Sequence, residues 1–430
     1  MKLAIIGSGI AGNVLAYHLN KKHDITVFEA NDYIGGHTHT HDIEIANKKY
    51  TLDTGFIVHN DATYPHFIQL LEELGVERQK SEMSFSVKCE KSGLEYNGNN
   101  LNSLFAQRRN LFRPAFYKMI GDILRFNKES VKLLQTPEND ISLGDYLKQQ
   151  NYSPQFIDFY IIPMGSAIWS SSYEQMLSFS AYFFIRFFHN HGLLSVSNRP
   201  DWYVIKGGSK VYVDKLTASY RDKVRLNSPV RYVRRYANCV EICTDDMPAE
   251  KFDYVFFACH SDQALKMIEQ ADAFETSLLS AFPYQDNDVV LHTDTCLLPK
   301  RKLAWASWNY HRLDSKSSPV AVTYNMNILQ GIKSPETFCV TLNNSQNIDE
   351  SKIIKRLNYS HPLFTANTID AQKQYAQLNG LNRCFYAGAY WRNGFHEDGV
   401  VSALNVIKIF NEMKNVGQQT YEQQNLRRAS

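Results

Sequence analysis

Gly7-x-Gly9-x-x-Gly12, followed by the acid Glu29, is the pattern in this chain best suited to holding a dinucleotide. Glycine at the first position permits a tight turn. At the second it lets a pyrophosphate reach the backbone, and at the third it lets helix and strand pack closely. The N–H groups of Ile10 and Ala11, opening the helix that must follow, would face phosphate oxygens with the positive end of that helix. Glu29, with Ala30 beside it, would accept hydrogen bonds from both hydroxyls of an adenosine ribose and would repel a 2′-phosphate, which argues against NADP. A second pair, Gly35-Gly36, comes soon after the acid and precedes His37. It would bring backbone to an extended dinucleotide again, which favours FAD over NAD; the alternative is a surface hairpin turn.

Other residues could carry chemistry less specifically. His37, His39 and His41 alternate, so an extended segment puts them on one face. No cysteine or carboxylate accompanies them at a closed spacing, so a phosphate-facing or solvated strand is expected rather than a metal site. Polar groups are interleaved with aromatics in three segments, around Leu291–Asp294, Trp305–Tyr310 and Tyr324–Gln330. His292 and Asp294 are the acid–base candidates there, and Trp305, Trp308 and Tyr324 could floor a substrate pocket. The alternative is a half-buried antiparallel sheet with tryptophans in its core.

The elements that must position these residues are legible at the two ends. Lys2–Gly7 reads as a buried parallel strand, Asn13–Asn20 has helical spacing, and Asp24–Glu29 reads as a second strand. Residues 65–147 read as mostly helical, with Gly75 ending the first helix. Ser153–Arg186 reads as helical and aromatic-rich. The run Tyr254–Ala258 is of buried-strand type. Cys384–Ala389 is strand then glycine, and Val400–Met413 is a helix followed by a polar tail expected to fray.

Composition narrows the function. Lys+Arg 46 against Asp+Glu 44 gives +2, which offers nothing to nucleic acid. The 25 Tyr, 25 Phe and 5 Trp are unusually many; most should be ordinary core, and some could line a flat apolar ligand site. Seven scattered cysteines without a C-x-x-C pair fit a reduced, cytoplasmic protein, and neither a leader nor a spanning helix is expected. Arg108, Arg109, Arg113, Lys118 and Arg125 alternate with Leu111, Phe112, Phe116 and Phe126. That pattern fits a peripheral contact with the inner membrane surface, or an ordinary helix face covered by long basic side chains. Ser178–Leu194 fits a channel wall or a helix dipping into lipid.

Taken together, these motifs resemble the flavin-containing amine oxidase and phytoene desaturase superfamily, in particular its bacterial FAD-dependent amine oxidoreductase branch. The resemblance rests on the glycine motifs, Glu29, Leu52-Asp53-Thr54-Gly55-Phe56, Gly207-Gly208, Pro229-Val230, Phe385-Tyr386-Ala387-Gly388 and Glu397-Asp398-Gly399-Val400-Val401-Ser402-Ala403. It implies non-covalent FAD lying extended, with Gly55 and Phe56 along it, Val230 bonding adenine through its backbone, and Gly388 by the pyrophosphate and ribityl chain. The helix start at Asp398, Gly399 and Val400 would face the flavin pyrimidine end, where a helix N-terminus stabilises the reduced anion. His37 stands where the family usually has arginine. The expected strand lysine is missing near Asp288–Asp294, and Tyr390, Trp391 and His396 stand where an amine would be caged by two tyrosines.

The expected fold is therefore α/β, a Rossmann-like FAD-binding domain (1–62, 200–265, 380–430) interleaved with an α+β substrate domain (63–199, 266–379). The expected function is FAD-dependent hydride transfer from a substrate carbon to flavin N5, with an apolar acyl or isoprenoid substrate undergoing desaturation. Amine oxidation is the alternative, and a redox-neutral or sensory flavoprotein is the alternative of another class. A small-molecule or lipid substrate is the expected partner.

Overall fold

The strand β1 (Lys2–Ile6) is apolar at nearly every position because both of its faces are covered. Leu3 and Ile5 pack with helix α1 (Ile10–Leu19) and the C-terminal helix His396–Ala429, whereas Ala4 and Ile6 pack against Val233, Val240 and Phe282. The computed structural model describes residues 1–135, 141–195, 199–245, 247–313 and 320–429. Strand β1 lies inside a five-stranded sheet ordered Val224–Arg225, β2 (Asp24–Phe28), β1, Tyr254–Phe257 and Cys384–Tyr386. Every pairing in it is parallel. Three distant stretches of chain thus supply one sheet, and the fold is α/β. An antiparallel ribbon, Val230–Arg235, Val240–Thr244 and Glu250–Phe252, rides on it.

A seven-stranded sheet forms the second layer. Its order is Ile353–Pro362, Tyr284–His292, Cys339–Leu342, Ala321–Asn325, Trp308–Arg312, Phe85–Cys89 and Leu94–Asn97. Three short strands, Arg78–Ser81, Phe85–Cys89 and Leu94–Asn97, lie where helix was expected. Phe85, Val87 and Cys89 alternate with polar residues, a period of two that overrides the helical pattern around them.

Side-chain parity divides this sheet. Val289, Leu291, Val340, Leu342, Trp308 and Tyr324 project from one face onto Leu52 and Ile57. Farther along the same face, Phe116, Met119 and Ala167 pack on Val87, Tyr310 and Val322. The aromatic helix Ala181–Asn190 is core: Phe183, Phe184, Phe187 and Phe188 are buried against Trp169 and Phe179. The expectation that Ser178–Leu194 dips into lipid is therefore corrected, since these rings are already covered by protein. The last helix runs His396–Ala429, starting earlier and ending later than the sequence suggested.

Candidate functional site

The first glycine turn is built for a ligand. Gly7 N–H donates to the Phe28 carbonyl at 2.8 Å, which ties the turn to the end of β2. Helix α1 starts at Gly9 with no side-chain cap and no acid in its first turn, so among the described residues no side chain caps the N–H groups of Ile10 and Ala11. A side chain on Gly12 would strike the Gly7 carbonyl at 1.9 Å, whereas one on Gly9 would meet nothing within 4 Å. Gly9 is thus bare on the side where a pyrophosphate would lie. Gly36, at φ +58, is the other wall: a Cβ there would lie 3.0 Å from Gly9 Cα. The two glycine motifs meet backbone to backbone.

Glu29 is buried, and its carboxylate accepts four hydrogen bonds from the protein. Oε2 receives Ser8 N–H at 2.8 Å and Ser8 Oγ–H at 2.6 Å, and Oε1 receives Asn31 N–H and Nδ2–H at 2.9 Å each. A carboxylate offers about four lone-pair sites. A ribose must therefore displace the mobile donors, Ser8 Oγ or Asn31 Nδ2, while the two backbone donors stay. Ser228 N–H donates to the Glu29 carbonyl at 2.8 Å, and this brings the following Val230 beside the same position, with Ala30 exposed at the mouth.

His37 sits in a nest of rings. The centroids of Tyr359, His361 and His260 lie 5.2, 5.5 and 6.0 Å from its own. Burial, reinforced by His361 and His260, holds its imidazole down to about 3, and its Nε2 is buried without a partner. The ring is neutral in this setting, unlike the arginine of the resemblance. Its neighbours follow suit: His39 Nδ1 pairs with Tyr359 Oη at 3.0 Å and His41 Nε2 with Thr54 Oγ1 at 3.1 Å. A Cβ on Gly55 would lie 2.0 Å from the His37 carbonyl, which also accepts Phe56 N–H at 2.8 Å. Gly55 and Phe56 are thereby locked against the second glycine motif.

The C-terminal motif arrives at the same place. Gly399 is so close to Ile10 that a Cβ would lie 2.6 Å from Ile10 Cγ2, so the N-termini of α1 and of helix His396–Ala429 abut. Val400 is buried against α1 in the same cluster. Gly388 N–H donates to Ser402 Oγ at 3.0 Å, joining the end of strand Cys384–Tyr386 to that helix. Asp398 turns back on its own loop: it accepts Phe395 N–H at 2.9 Å and Asn393 N–H at 3.3 Å and pairs with Arg392 at 3.5 Å. Burial lifts it to about 6. Its backbone belongs to the helix start; its side chain is a loop clamp.

The residues expected at the substrate do not gather in one place. His292 is on the face opposite Leu291 and is fully buried, with Nε2 paired to Thr341 Oγ1 at 2.7 Å and Nδ1 accepting Asp294 N–H at 3.1 Å. Asp294 caps a turn, accepting Cys296 N–H at 3.1 Å and Asp349 N–H at 2.9 Å and pairing with Lys352 at 3.4 Å. Strand parity turns this pair away from Leu52 and Ile57, and their lone pairs are committed. Trp305 donates Nε1–H to the Pro299 carbonyl at 2.7 Å, away from Trp308. Tyr390 and Trp391 meet Phe282 edge to face, ring centroids 4.9 and 5.0 Å away, in the core behind the parallel sheet. His396 lies flat on Phe56, centroids 3.7 Å apart, and pairs with Tyr212 Oη at 2.8 Å. Trp308 and Tyr324 alone of the expected pocket residues project toward Leu52 and Ile57, 4.9 Å apart and edge to face.

The sequence reading missed His59 and Asn60. His59 is fully buried, both of its ring nitrogens lack a partner, and so does Asn60 Nδ2. Burial holds His59 down to about 4. Unpaired buried polar atoms are costly, so in a native protein each points to a partner. These lie three and four residues after Phe56, and the run Gly55–Asn60 ending in two polar residues was the available signal. Asp53 was named only within a motif. It is a buried knot that accepts from Thr40, Ser209 and Gln330 and joins three segments.

The arrangement fits FAD: a bare glycine cradle, two abutting helix starts, a buried acid reachable by a ribose, and orphaned nitrogens on His37 and His59. A model of the family described as flavin containing amine oxidoreductase matches residues 10–323. A 1-hydroxycarotenoid 3,4-desaturase of Flavobacterium sp. (strain P99-3) is 42% identical over 74 residues, which are 17% of this chain and 14% of that protein. Among solved structures, a cyclohexylamine oxidase from Brevibacterium oxydans IH-35A superposes with a TM-score of 0.67 at 14% identity, covering 96% of this chain and 99% of that one. A putative protoporphyrinogen oxidase from Exiguobacterium sp. 255-15 gives 0.68 at 16%, covering 96% and 99%. A CLA-producing fatty acid isomerase from P. acnes gives 0.63 at 14%, covering 95% and 98%. The family match spans most of the chain and the glycine cradle beside it fits the same cofactor, so the chain belongs to the flavin containing amine oxidoreductase family and is an FAD-dependent oxidoreductase.

Proposed function

We propose that the substrate is apolar, an acyl chain or isoprenoid that is desaturated. Held by the two glycine motifs and the helix start at Gly399, FAD would supply the acceptor for the two electrons and two hydrogens that leave when a carbon–carbon single bond becomes a double bond. The observation that carries the reading is the composition of the sheet face turned toward Leu52 and Ile57. It presents Val289, Leu291, Trp308, Tyr324 and Val340, and Lys355, opposite Leu291 on the edge strand, is turned to His41 Nδ1 at 3.3 Å. Such a face excludes water and orients a chain by shape rather than by charge. Burial pushes the Tyr324 phenol far above its ordinary range, so it stays neutral there. The carotenoid desaturase and the fatty acid isomerase act, by their names, on apolar molecules, which supports this choice.

Amine oxidation is the second reading, favoured by the family's name and by the edge-to-face pair Trp308–Tyr324, which could flank a neutral amine. Anaerobic mixing of the holoprotein with unsaturated acyl lipids, polyenes and primary amines separates the two. Loss of the oxidised flavin band near ~450 nm with lipids or polyenes is expected. Bleaching by amines alone would overturn the proposal, and bleaching by none would leave the redox-neutral class.

A further inference from the structure

The helix Pro114–Glu129 buries Phe116, Met119 and Phe126 and turns its other side outward. Eleven large apolar side chains are exposed among the described residues, and six of them lie on or beside this helix: Leu101, Leu111, Phe112, Tyr117, Leu124 and Leu303. Phe112 is 86% exposed and Leu101 76%. They are held near one another. Tyr117 Oη–H donates to the Leu111 carbonyl at 3.1 Å, the Phe105 ring lies 6.0 Å from that of Tyr117, and the turn Lys302–Ala304 packs on Leu101–Leu104. An apolar projection of this kind on a folded surface marks an interaction site.

Charge says what it meets. Residues 96–121 carry Arg108, Arg109, Arg113 and Lys118 and no acid, and 298–303 add Lys300, Arg301 and Lys302, again with no acid. That is seven cations (four plus three) on a chain whose net charge is only +2. Arg108 is braced toward this surface by the Phe105 carbonyl at 2.8 Å and Asn102 Oδ1 at 2.6 Å. The rim continues into a cavity of about 230 Å³ lined by Lys88, Arg109, Lys300 and Arg301, together with Glu90 and Glu95. Arg125, by contrast, is spent on Asp122 and the Tyr152 ring, and Phe116 and Phe126 are core, so the sequence pattern narrows to Phe112 and its neighbours.

We infer that this patch docks the protein on an anionic phospholipid bilayer, with Leu111 and Phe112 entering the interface and Arg108, Arg113, Lys118, Lys300 and Lys302 facing the headgroups, Arg301 being paired with Glu95 and Arg109 with the Gly93 carbonyl. The inference does not depend on what the flavin oxidises. The patch lies on the outer side of the helix whose inner side covers Val87, Tyr310 and Val322.

The test is co-sedimentation of the yellow holoprotein with vesicles of phosphatidylcholine alone or with a third phosphatidylglycerol. Binding is expected only to the anionic vesicles and should fall steeply with salt. Phe112→Asp should weaken it about tenfold or more, and Arg108→Gln with Lys118→Gln about fivefold per cation; both variants should keep full flavin content, since the sites are exposed. Equal binding to neutral vesicles, or anionic binding untouched by Phe112→Asp, overturns the proposal. So would a concentration-dependent dimer in analytical ultracentrifugation that Phe112→Asp abolishes, because a second copy would then own the patch.

Discussion

Glu29→Gln tests the dinucleotide cradle at its buried acid. Four donors converge on this carboxylate, two from Ser8 and two from Asn31. An isosteric amide keeps the shape but replaces one acceptor oxygen by an NH2 that must face Ser8 N–H or Asn31 N–H. One buried donor is then unsatisfied, at about 1–3 kcal/mol. Hydrogen bonds from ribose hydroxyls also drop from the charged class, about 1.5–3 kcal/mol, to the neutral one, about 0.5–1.5 kcal/mol, so two of them lose about 2 kcal/mol. Part of the first cost falls on the apoprotein as well, so FAD binding should weaken by about 2–4 kcal/mol, roughly 30-fold to 1,000-fold. Titration of apoprotein with FAD, read by quenching of flavin fluorescence, measures this directly. Ser8→Ala is the control with the opposite sign. It removes a competing donor from Oε2, so the apoprotein should lose about 1 kcal/mol of stability while FAD binds as well as before or better. If Glu29→Gln retains FAD within threefold of the parent, the ribose is not on Glu29 and the placement of the adenosine is wrong.

Acid stability follows from the buried imidazoles. His41, His59 and His292 are held to about 3, 4 and 4 by burial, so their depressed values contribute stability above the unfolded value near 6.5, lost as pH falls toward the folded one. Asp53 and Asp398, raised by burial to about 6, act oppositely: their stabilisation is complete below the unfolded value near 3.9 and is lost as pH rises through 6. Between pH 6 and 5 the three histidines oppose the two acids, and His37, His39, His191 and His361, held by burial to about 3, 4, 4 and 4, add to the loss, so the apoprotein should be less stable at pH 5 than at pH 6; urea titrations at both pH values that show a net gain would refute this balance. His59→Phe removes two unpaired buried nitrogens, so the apoprotein should melt no lower than the parent, while the rise in Tm on adding FAD should shrink; an unchanged rise would take His59 off the cofactor. His292→Asn should destabilise the fold by about 1–3 kcal/mol through its bonds to Thr341 and Asp294, yet leave the rate of anaerobic flavin reduction intact, and a reduction defect at full flavin content would return it to the chemistry.

The nucleotide cradle was legible because its determinants are local. Gly7 to Glu29 spans one strand, one turn, one helix and a second strand, and each signal is a backbone requirement that the residue type itself meets: no Cβ at Gly12, an uncapped helix start at Gly9, an acid ending β2. The parallel strands were legible for the same reason, since a strand covered on both faces shows as an unbroken apolar run. The sheet over Leu52 and Ile57 was not. Whether His292 or Leu291 points toward the crevice is a matter of one residue of parity, set by pairing with Cys339–Leu342 and Ile353–Pro362, which lie far along the chain. Tyr390, Trp391 and His396 looked like pocket residues by type, and only packing against Phe282 and Phe56 showed where their rings go. Composition likewise could not tell the buried rings of Ala181–Asn190 from the exposed Phe112, because exposure depends on which other segments cover a side chain. Short-range backbone chemistry is written in the sequence; the choice of face, neighbour and exposure belongs to contacts between segments that meet only when the chain has folded.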